Sequence, residues 1–585
     1  MTDGPLTAVT PISLLPSDDK ISLLTSVHSR TGIAVPGSSN DWGYWASSLG
    51  RWLHQPRGKI LGGSTAVNAL YVVRASAEEH DAWASLNPNA TTDWTWNGLY
   101  PYMLKSENFT DPINPAAIST TINDTYHGHS GPVDVSFPQF VYSSAAAWTP
   151  TMAALGLKTT DPQGGEGWGG FITPNSINPA DGTRSYSKTA YLDPASGRSN
   201  LVVLLQSQAV KITWDTSGSA PRATGVDFAQ TSGGQTYHVE VMSEVILSAG
   251  VFGTPQLLQL SGVGPRALLD SFGITTVVDL PGVGEHFQDH VLTSVVWSTQ
   301  GGVVTGDLLV QNATFAAQQL QLFHAGALSQ SLMSAPNNGI GYVSLKQLFN
   351  NDTYTAEFVQ QMRDNMTAVV NNQGFTDPTL QAGYELTYQT EVNTLANTQV
   401  GAIELLLSSF GSWNSVNTTI SIQASLQHPM SRGSVKINST DPFATPVITA
   451  NYLNTDSDWA ILRAGLRCPS FHSFFSFSLL TGYFRYSPNC LNAADAKSDL
   501  RRAATWPPST DRCGFRRVYV LNRRVRTTSA LLLHFLILFL FYFKFFFGQQ
   551  HPVPPFIYCF HAPTRKGRCR RPNFESVRND GSAGG

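Results

Sequence analysis

Cysteine is missing from the first 467 residues of this 585-residue chain; all five (Cys468, Cys490, Cys513, Cys559, Cys569) lie beyond them. Neither a disulfide framework nor a cysteine metal site is available to the larger part. Basic residues are scarce there too: residues 1–467 hold 20 Lys and Arg against 35 Asp and Glu, a net of −15. Duplex binding relies on Lys and Arg at phosphates, so an acidic body excludes nucleic acid as a partner. The N-terminus shows no basic segment followed by an apolar one, so no signal peptide is visible. Residues 1–56 also lack a G-x-G-x-x-G and a compact apolar strand feeding such a loop.

What is there begins with Arg57–Asn68, R-G-K-I-L-G-G-S-T-A-V-N. Paired glycines let a backbone approach a phosphorylated ligand closely, and Ser64 and Thr65 add donors beside exposed N–H groups. Further on come Asp181-Gly182-Thr183-Arg184-Ser185, S-A-G-V-F-G-T-P-Q-L-L-Q-L-S-G-V-G over 248–264, and Pro281-Gly282-Val283-Gly284 leading to Asp289-His290. From His428 to Leu453 runs H-P-M-S-R-G-S-V-K-I-N, ending in A-N-Y-L. These strings, in this order, resemble the glucose–methanol–choline (GMC) flavoprotein oxidoreductases over about residues 40–467, nearest in texture to aryl-alcohol oxidases.

The resemblance implies an α/β, two-domain fold. Residues 1–295 would form a Rossmann-like FAD-binding domain lacking its first βαβ unit. Residues 296–427 would form an antiparallel-sheet substrate domain, and 428–467 the start of a C-terminal module. It also implies that Gly62, Gly63, Ser64, Asn68, Ala69 and Tyr71 line the pyrophosphate and isoalloxazine of FAD. Val210 matches the family valine whose backbone meets the adenine. Members with covalent FAD carry His where this chain has Val67, so a noncovalent flavin is expected. The implied chemistry is hydride transfer from a small-molecule alcohol to flavin N5, with oxygen or a quinone as acceptor. The missing Gly-rich unit is best explained by a coding sequence that begins about one βαβ unit too late.

Other features have plainer readings. The Trp residues between Asp81 and Glu107 read as core on an amphipathic helical stretch. The His127-Gly128-His129 pair reads as a structural turn rather than a metal site. Asp289 and His290 read equally as a satisfied turn pair or a functional one. Strands are expected at 201–206, 223–229 and 237–247, and a helix starting near Pro255. Residues 296–425 read as Asn-, Gln- and Thr-rich loops between short strands. Eight Asn-x-Ser/Thr sequons (Asn89, Asn108, Asn123, Asn312, Asn351, Asn365, Asn417, Asn438) suggest secretion.

Beyond Arg467 the balance reverses, with 17 Lys and Arg against 5 Asp and Glu, a net of +12. Residues 468–585 are not expected to follow the fold. The apolar run from Ala530 to Phe547 is just long enough to span a membrane. Basic residues flank it on both sides, however, which blunts any orientation rule. Loss of resemblance, gain of cysteine and charge reversal coincide at one point, which favours a mis-spliced or frame-shifted tail over an anchor. His551-Pro552 is a chance match to the family's catalytic H-P string and receives no role. No catalytic residue can be assigned. Three readings follow: an FAD-dependent alcohol oxidase or dehydrogenase, an inactive remnant of one with or without a membrane anchor, or a lyase on the same fold.

Overall fold

Short segments rich in β-branched and aromatic residues become strands, and the chain alternates them with helices. The computed structural model describes residues 38–467 apart from 88–91, 158–160, 300–302, 337–338 and 410–417. Residues 1–37, the sequons at Asn89 and Asn417, and the whole tail with its cysteines, apolar run and His551 lie outside the described residues. In chain order the strands are β1 (Tyr44–Ser48), β2 (Arg51–Gln55), β3 (Glu107–Thr110), β4 (Val133–Ser136), β5 (Gly169–Ile172), β6 (Gln208–Asp215), β7 (Arg222–Ala229), β8 (Thr236–Glu240), β9 (Val263–Gly264), β10 (Val278–Asp279), β11 (Leu292–Ser298), β12 (Gly339–Val343), β13 (Ile403–Ser408), β14 (Thr419–Leu426), β15 (Ser434–Lys436) and β16 (Val447–Thr449). The main helices are α1 (Ala77–Ser85), α2 (Trp96–Ser106), α3 (Gly250–Leu260), α4 (Ala313–His324), α5 (Asp352–Asp364), α6 (Met366–Asn372), α7 (Pro378–Ala396) and α8 (Asp456–Arg467).

The largest sheet is antiparallel, in the order β11-β14-β13-β12-β5. Its two faces follow from the period of two along each strand. Ile403, Leu405 and Leu407 of β13, with Ile420, Ile422, Ala424 and Leu426 of β14, enter the main apolar core. Helix α8 packs on β11, β13 and β14 and contributes Ile461 and Leu462 to that core. The alternate residues, Glu404, Ser421, Gln423 and Ser425, take the opposite face and make it polar. Strand β5 joins this sheet from residues expected in the cofactor domain, so the sheet draws on both sides of residue 296.

A second sheet, β15-β16-β1-β2, sets β1 parallel to β16 through Ala46↔Ile448. It unites the segment before the Gly-rich motif with the start of the C-terminal module. Strands β6, β7 and β8 make an antiparallel meander. Among the described residues no helix is long and apolar enough to cross a membrane.

Four expectations change. Residues 201–206 form no strand, and the third expected strand ends at Glu240. The last bond to β7 is that of the Val241 N–H to the Thr224 carbonyl at 2.8 Å, and no described ladder includes 201–205 or 242–247. Their apolar side chains are consequently open, with Val202, Met242 and Ile246 among the exposed large hydrophobics. Helix α3 begins at Gly250, five residues before Pro255, because proline close to a helix start sacrifices few hydrogen bonds. Residues 308–396 are mostly helical rather than loops and strands. There the abundant Asn, Gln and Thr disguise the helical period, and Asn312, Asn351 and Asp377 in fact act as N-caps. Finally, Trp96 is buried as expected, whereas Trp83 and Trp94 are exposed.

A buried ion cluster ties three of these parts together. Helix α1 opens with a capping box in which Ser76 and Glu79 bond reciprocally. The free oxygen of Glu79 lies 3.1 Å from His428 Nε2, an ion-pair contact, while His428 Nδ1 lies 2.8 Å from Glu391 on α7. Arg432 reaches the other oxygen of Glu391 at 3.4 Å. Burial alone would lower the His428 pKa, but its bonds to Glu391 and Glu79 more than offset this and lift it to about 10. Burial would likewise raise Glu79, yet the contact with His428 and the Ser76 bonds bring it down to about 2.

The signs give a pH window. A raised histidine contributes stability that is complete below 6.5 and is lost as pH climbs towards 10. A depressed Glu79 contributes stability present above 4.5 and lost as pH falls towards 2. Melting temperature should therefore decline on both sides of that window. His428→Leu should cost about 3–5 kcal/mol, by leaving two carboxylates facing each other. It should also flatten the alkaline limb of the melting curve against pH, which calorimetry across pH checks.

Candidate cofactor site

The Gly-rich motif folds as a tight turn followed by one turn of 3-10 helix, Gly63–Ala66. Gly62 has φ +91 and Gly63 φ +54, the left-handed region that L side chains avoid. Gly62 has a second constraint. A Cβ there would stand 2.6 Å from the Tyr186 ring, whereas one on Gly63 would meet nothing within 4 Å. Gly63 thus borders open space on the side away from the protein. Ser64, Asn68 and Ala69 are exposed beside it. Ser64 Oγ also accepts the Gly58 N–H at 3.3 Å, closing the motif on itself.

A second segment holds this turn in shape. Arg184 Nη1 donates to the Thr65 carbonyl at 3.0 Å and to Asn68 Oδ1 at 2.5 Å, and Nη2 donates to the Asn68 carbonyl at 2.9 Å. Ser187 Oγ donates to the Gly62 carbonyl at 3.1 Å and lies 2.9 Å from Thr65 Oγ1. Asn68 Oδ1 also accepts the Leu70 N–H at 3.1 Å, supporting Leu70 at φ +71. Sequence reasoning noted the D-G-T-R-S string but gave Arg184, Tyr186 and Ser187 no role. The available signal was a lone arginine in an acid-rich chain, followed by two hydroxyl residues.

Tyr71 leaves the loop next to Asn175, with which it forms an isolated bridge. Both side-chain polar atoms of Asn175 are buried with no hydrogen-bond partner among the described residues. Burial, then the charge of Glu404, raises the Tyr71 hydroxyl well above the usual phenol range. Glu404 belongs to the polar face of the large sheet, where Tyr342 donates to it at 3.1 Å. Burial pushes its carboxyl above the usual range, with His290 and Tyr342 opposing. Gly62, Gly63, Ser64, Asn68, Ala69 and Tyr71 thus lie on one short segment, with Ser64, Asn68 and Ala69 exposed and Tyr71 half-buried beside Asn175.

Val210 lies apart from them, in β6. The ladder with β7 slips between Ala209 and Lys211, which leaves Val210 as the extra residue of a bulge. A bulged residue has backbone groups that the ladder does not claim. A cavity of about 820 Å³ opens on that side, lined among others by Val210, Trp214, Ser261 and Asp441, and the Gly-rich loop takes no part in it.

The ambiguous polar residues are engaged in structure. Both nitrogens of His127 face carboxylates, Glu107 at 3.1 Å and Asp161 at 3.0 Å, and Arg74 reaches Glu107 at 2.7 Å. Burial would lower His127, but the bonds to Asp161 and Glu107 raise it to about 9. His129 pairs with Asp124 at 3.0 Å at the surface. Asp289 accepts the Tyr452 hydroxyl at 2.6 Å and the backbone N–H of His290 at 2.9 Å.

Known proteins resemble this chain in sequence and in fold. Family models described as GMC oxidoreductase match residues 40–292 and 429–469. The GMC oxidoreductase family protein Mala s 12 of Malassezia sympodialis is 36% identical over 435 residues, covering 73% of this chain and 66% of that protein. The chain thus spans just under two thirds of that relative. An FAD-dependent oxidoreductase from Chaetomium thermophilum superposes with a TM-score of 0.68 at 26% identity, over 82% of this chain and 85% of the other. A fungal aryl-alcohol oxidase superposes with a TM-score of 0.67 at 26% identity, over 81% and 80%.

The two glycines should respond differently to the same change. Gly63→Ala should cost only the left-handed strain, about 1–2 kcal/mol. Gly62→Ala adds a clash with the Tyr186 ring and should cost about 2–5 kcal/mol. Urea denaturation of both variants checks the order; equal losses would mean that Tyr186 does not confine the turn.

Proposed function

Because the chain belongs to the GMC oxidoreductase family, we propose that it is an FAD-dependent oxidoreductase acting on the CH–OH group of a small alcohol. The observation that carries this reading is the open, glycine-lined face of the Gly62–Tyr71 loop, whose carbonyls are drawn inward by Arg184 and Ser187. A dinucleotide fits such a surface: there is room above Gly63, hydroxyl and amide side chains flank it, and the fully buried Asn175 amide beside Tyr71 has hydrogen-bonding capacity to spare.

In this reading Gly62, Gly63, Ser64, Asn68, Ala69 and Tyr71 hold the pyrophosphate and isoalloxazine, and the bulged backbone of Val210 meets the adenine. The chemistry that FAD supplies when bound is acceptance of a hydride, with oxygen or a quinone taking the electrons afterwards. The chain's own residues bind and orient; among those described, none is assigned to removing the hydroxyl proton. Val67 in place of histidine supports a noncovalent flavin. Asn312, Asn365 and Asn438 are exposed sequons, which supports an exported protein.

The purified chain should carry visible flavin absorbance, released into the supernatant by acid precipitation. A primary alcohol such as benzyl alcohol should bleach that absorbance under anaerobic conditions. A colourless protein that takes up no added FAD would overturn the reading. Bound flavin that no alcohol bleaches would instead favour a binding protein without turnover.

A further inference from the structure

We propose that Arg184 is the positioning residue for the flavin, acting through Asn68 and the peptide planes of the Gly-rich loop. The inference rests on the flavin reading above and adds the group that sets the donor geometry of the site.

The argument begins with where the guanidinium is anchored. Arg184 is 3% exposed and stands at the end of a narrow loop. Asp181 Oδ1 fixes that loop by accepting the Thr183 N–H at 2.9 Å and its hydroxyl at 2.7 Å. Asn178 and Thr183 bond across it, and the Ser185 N–H donates to the Ser176 carbonyl at 2.9 Å. Ser185 Oγ in turn accepts the Asp134 N–H of β4 at 2.9 Å. The arginine therefore projects from a braced support.

Its contacts then dictate the loop. In a trans peptide the carbonyl and the following N–H point in opposite directions. By drawing the Asn68 carbonyl towards itself, Arg184 turns the Ala69 N–H to the opposite side. The same holds for the Thr65 carbonyl and the Ala66 N–H. The hydrogen bond to Asn68 Oδ1 fixes that side chain as well, on a residue otherwise exposed to solvent. A planar guanidinium can hold two carbonyls and an amide oxygen at once; an ammonium on a flexible stem cannot reproduce that fork. Burial draws the Arg184 pKa down to about 10, so the group keeps its charge at neutral pH. It thus sets a positive charge beneath a surface read as phosphate-binding.

The test is FAD affinity, read by fluorescence titration of the full chain stripped of flavin. Circular dichroism and melting temperature of each apo-protein are followed in parallel. Arg184→Lys keeps the charge and loses the fork; it should weaken FAD binding about tenfold to a hundredfold. Asn68→Ala removes the amide oxygen that Arg184 holds and should also weaken binding. The double variant should lose less than the product of the two single losses, because the Arg184–Asn68 Oδ1 contact is common to both. Wild-type affinity in a folded Arg184→Lys protein would overturn the proposal, as would independent, multiplying effects. Should Arg184→Lys not fold, wild-type affinity in Asn68→Ala would overturn it instead. If the unmodified chain takes up no FAD at all, the flavin reading falls and this one with it. Uptake by the unmodified chain with no loss in the variants sinks this proposal alone.

Discussion

Backbone carbonyls in a segment that is neither long helix nor strand need partners from elsewhere, and Arg184 and Ser187 provide them for Gly62, Thr65 and Asn68. Much of the surrounding structure serves to keep that pair in place. The loop bearing Arg184 is braced on β4 through Ser185 and Asp134. Strand β4 runs parallel to β3, and the Asn175 backbone bonds Ser136 at the end of β4 in both directions. Glu107, the first residue of β3, is gripped by Arg74 and His127. Arg74 lies only three residues past Tyr71, so the circuit returns to the motif it supports.

The acidic character of the body takes a particular form in this circuit. Two histidines are each set between two carboxylates, His127 between Glu107 and Asp161 and His428 between Glu79 and Glu391. In each case an arginine reaches one of the carboxylates from the far side. Buried carboxylates repel one another and resist desolvation, so each cluster needs its cation at the centre. The cost of burying such groups is considerable, and their return lies in orientation. One cluster fixes the strand pair behind the Gly-rich loop. The other fixes α1, α7 and the start of the C-terminal module against each other. The same carboxylates that made nucleic acid an implausible partner are thus partly spent on internal bracing.

Legibility from sequence followed the range of the interaction. The Gly-rich motif and the second motif were readable because glycine placement, hydroxyl neighbours and apolar runs are local properties. Helices α4 to α7 were not readable, since polar Asn, Gln and Thr blur the 3.6-residue period while N-caps carry the boundaries. The strand expected at 201–206, and the far end of the one expected at 237–247, show the opposite failure: local propensity was right in kind, but a strand exists only where a neighbour completes its ladder. Arg184 escaped for the same reason, because its importance lies in carbonyls more than a hundred positions away.

The polar face of the large sheet carries the last consequence of that long-range geometry. Alternation along β13 sends Glu404 away from the apolar core, towards Tyr342 in register on β12 and Ser425 in register on β14. The same residue is electrostatically coupled to Tyr71, which ends the cofactor motif. Neither strand nor motif alone indicates that a carboxyl would stand there. Burial favours its proton-bearing form, and Tyr342 and Gln427 hold its oxygens in place. A shift of β13 by one residue would exchange Glu404 for a leucine or isoleucine and return the charge to the core. The register of the sheet, set by the apolar packing of α8 against its other face, therefore decides the polarity that the end of the Gly-rich segment meets.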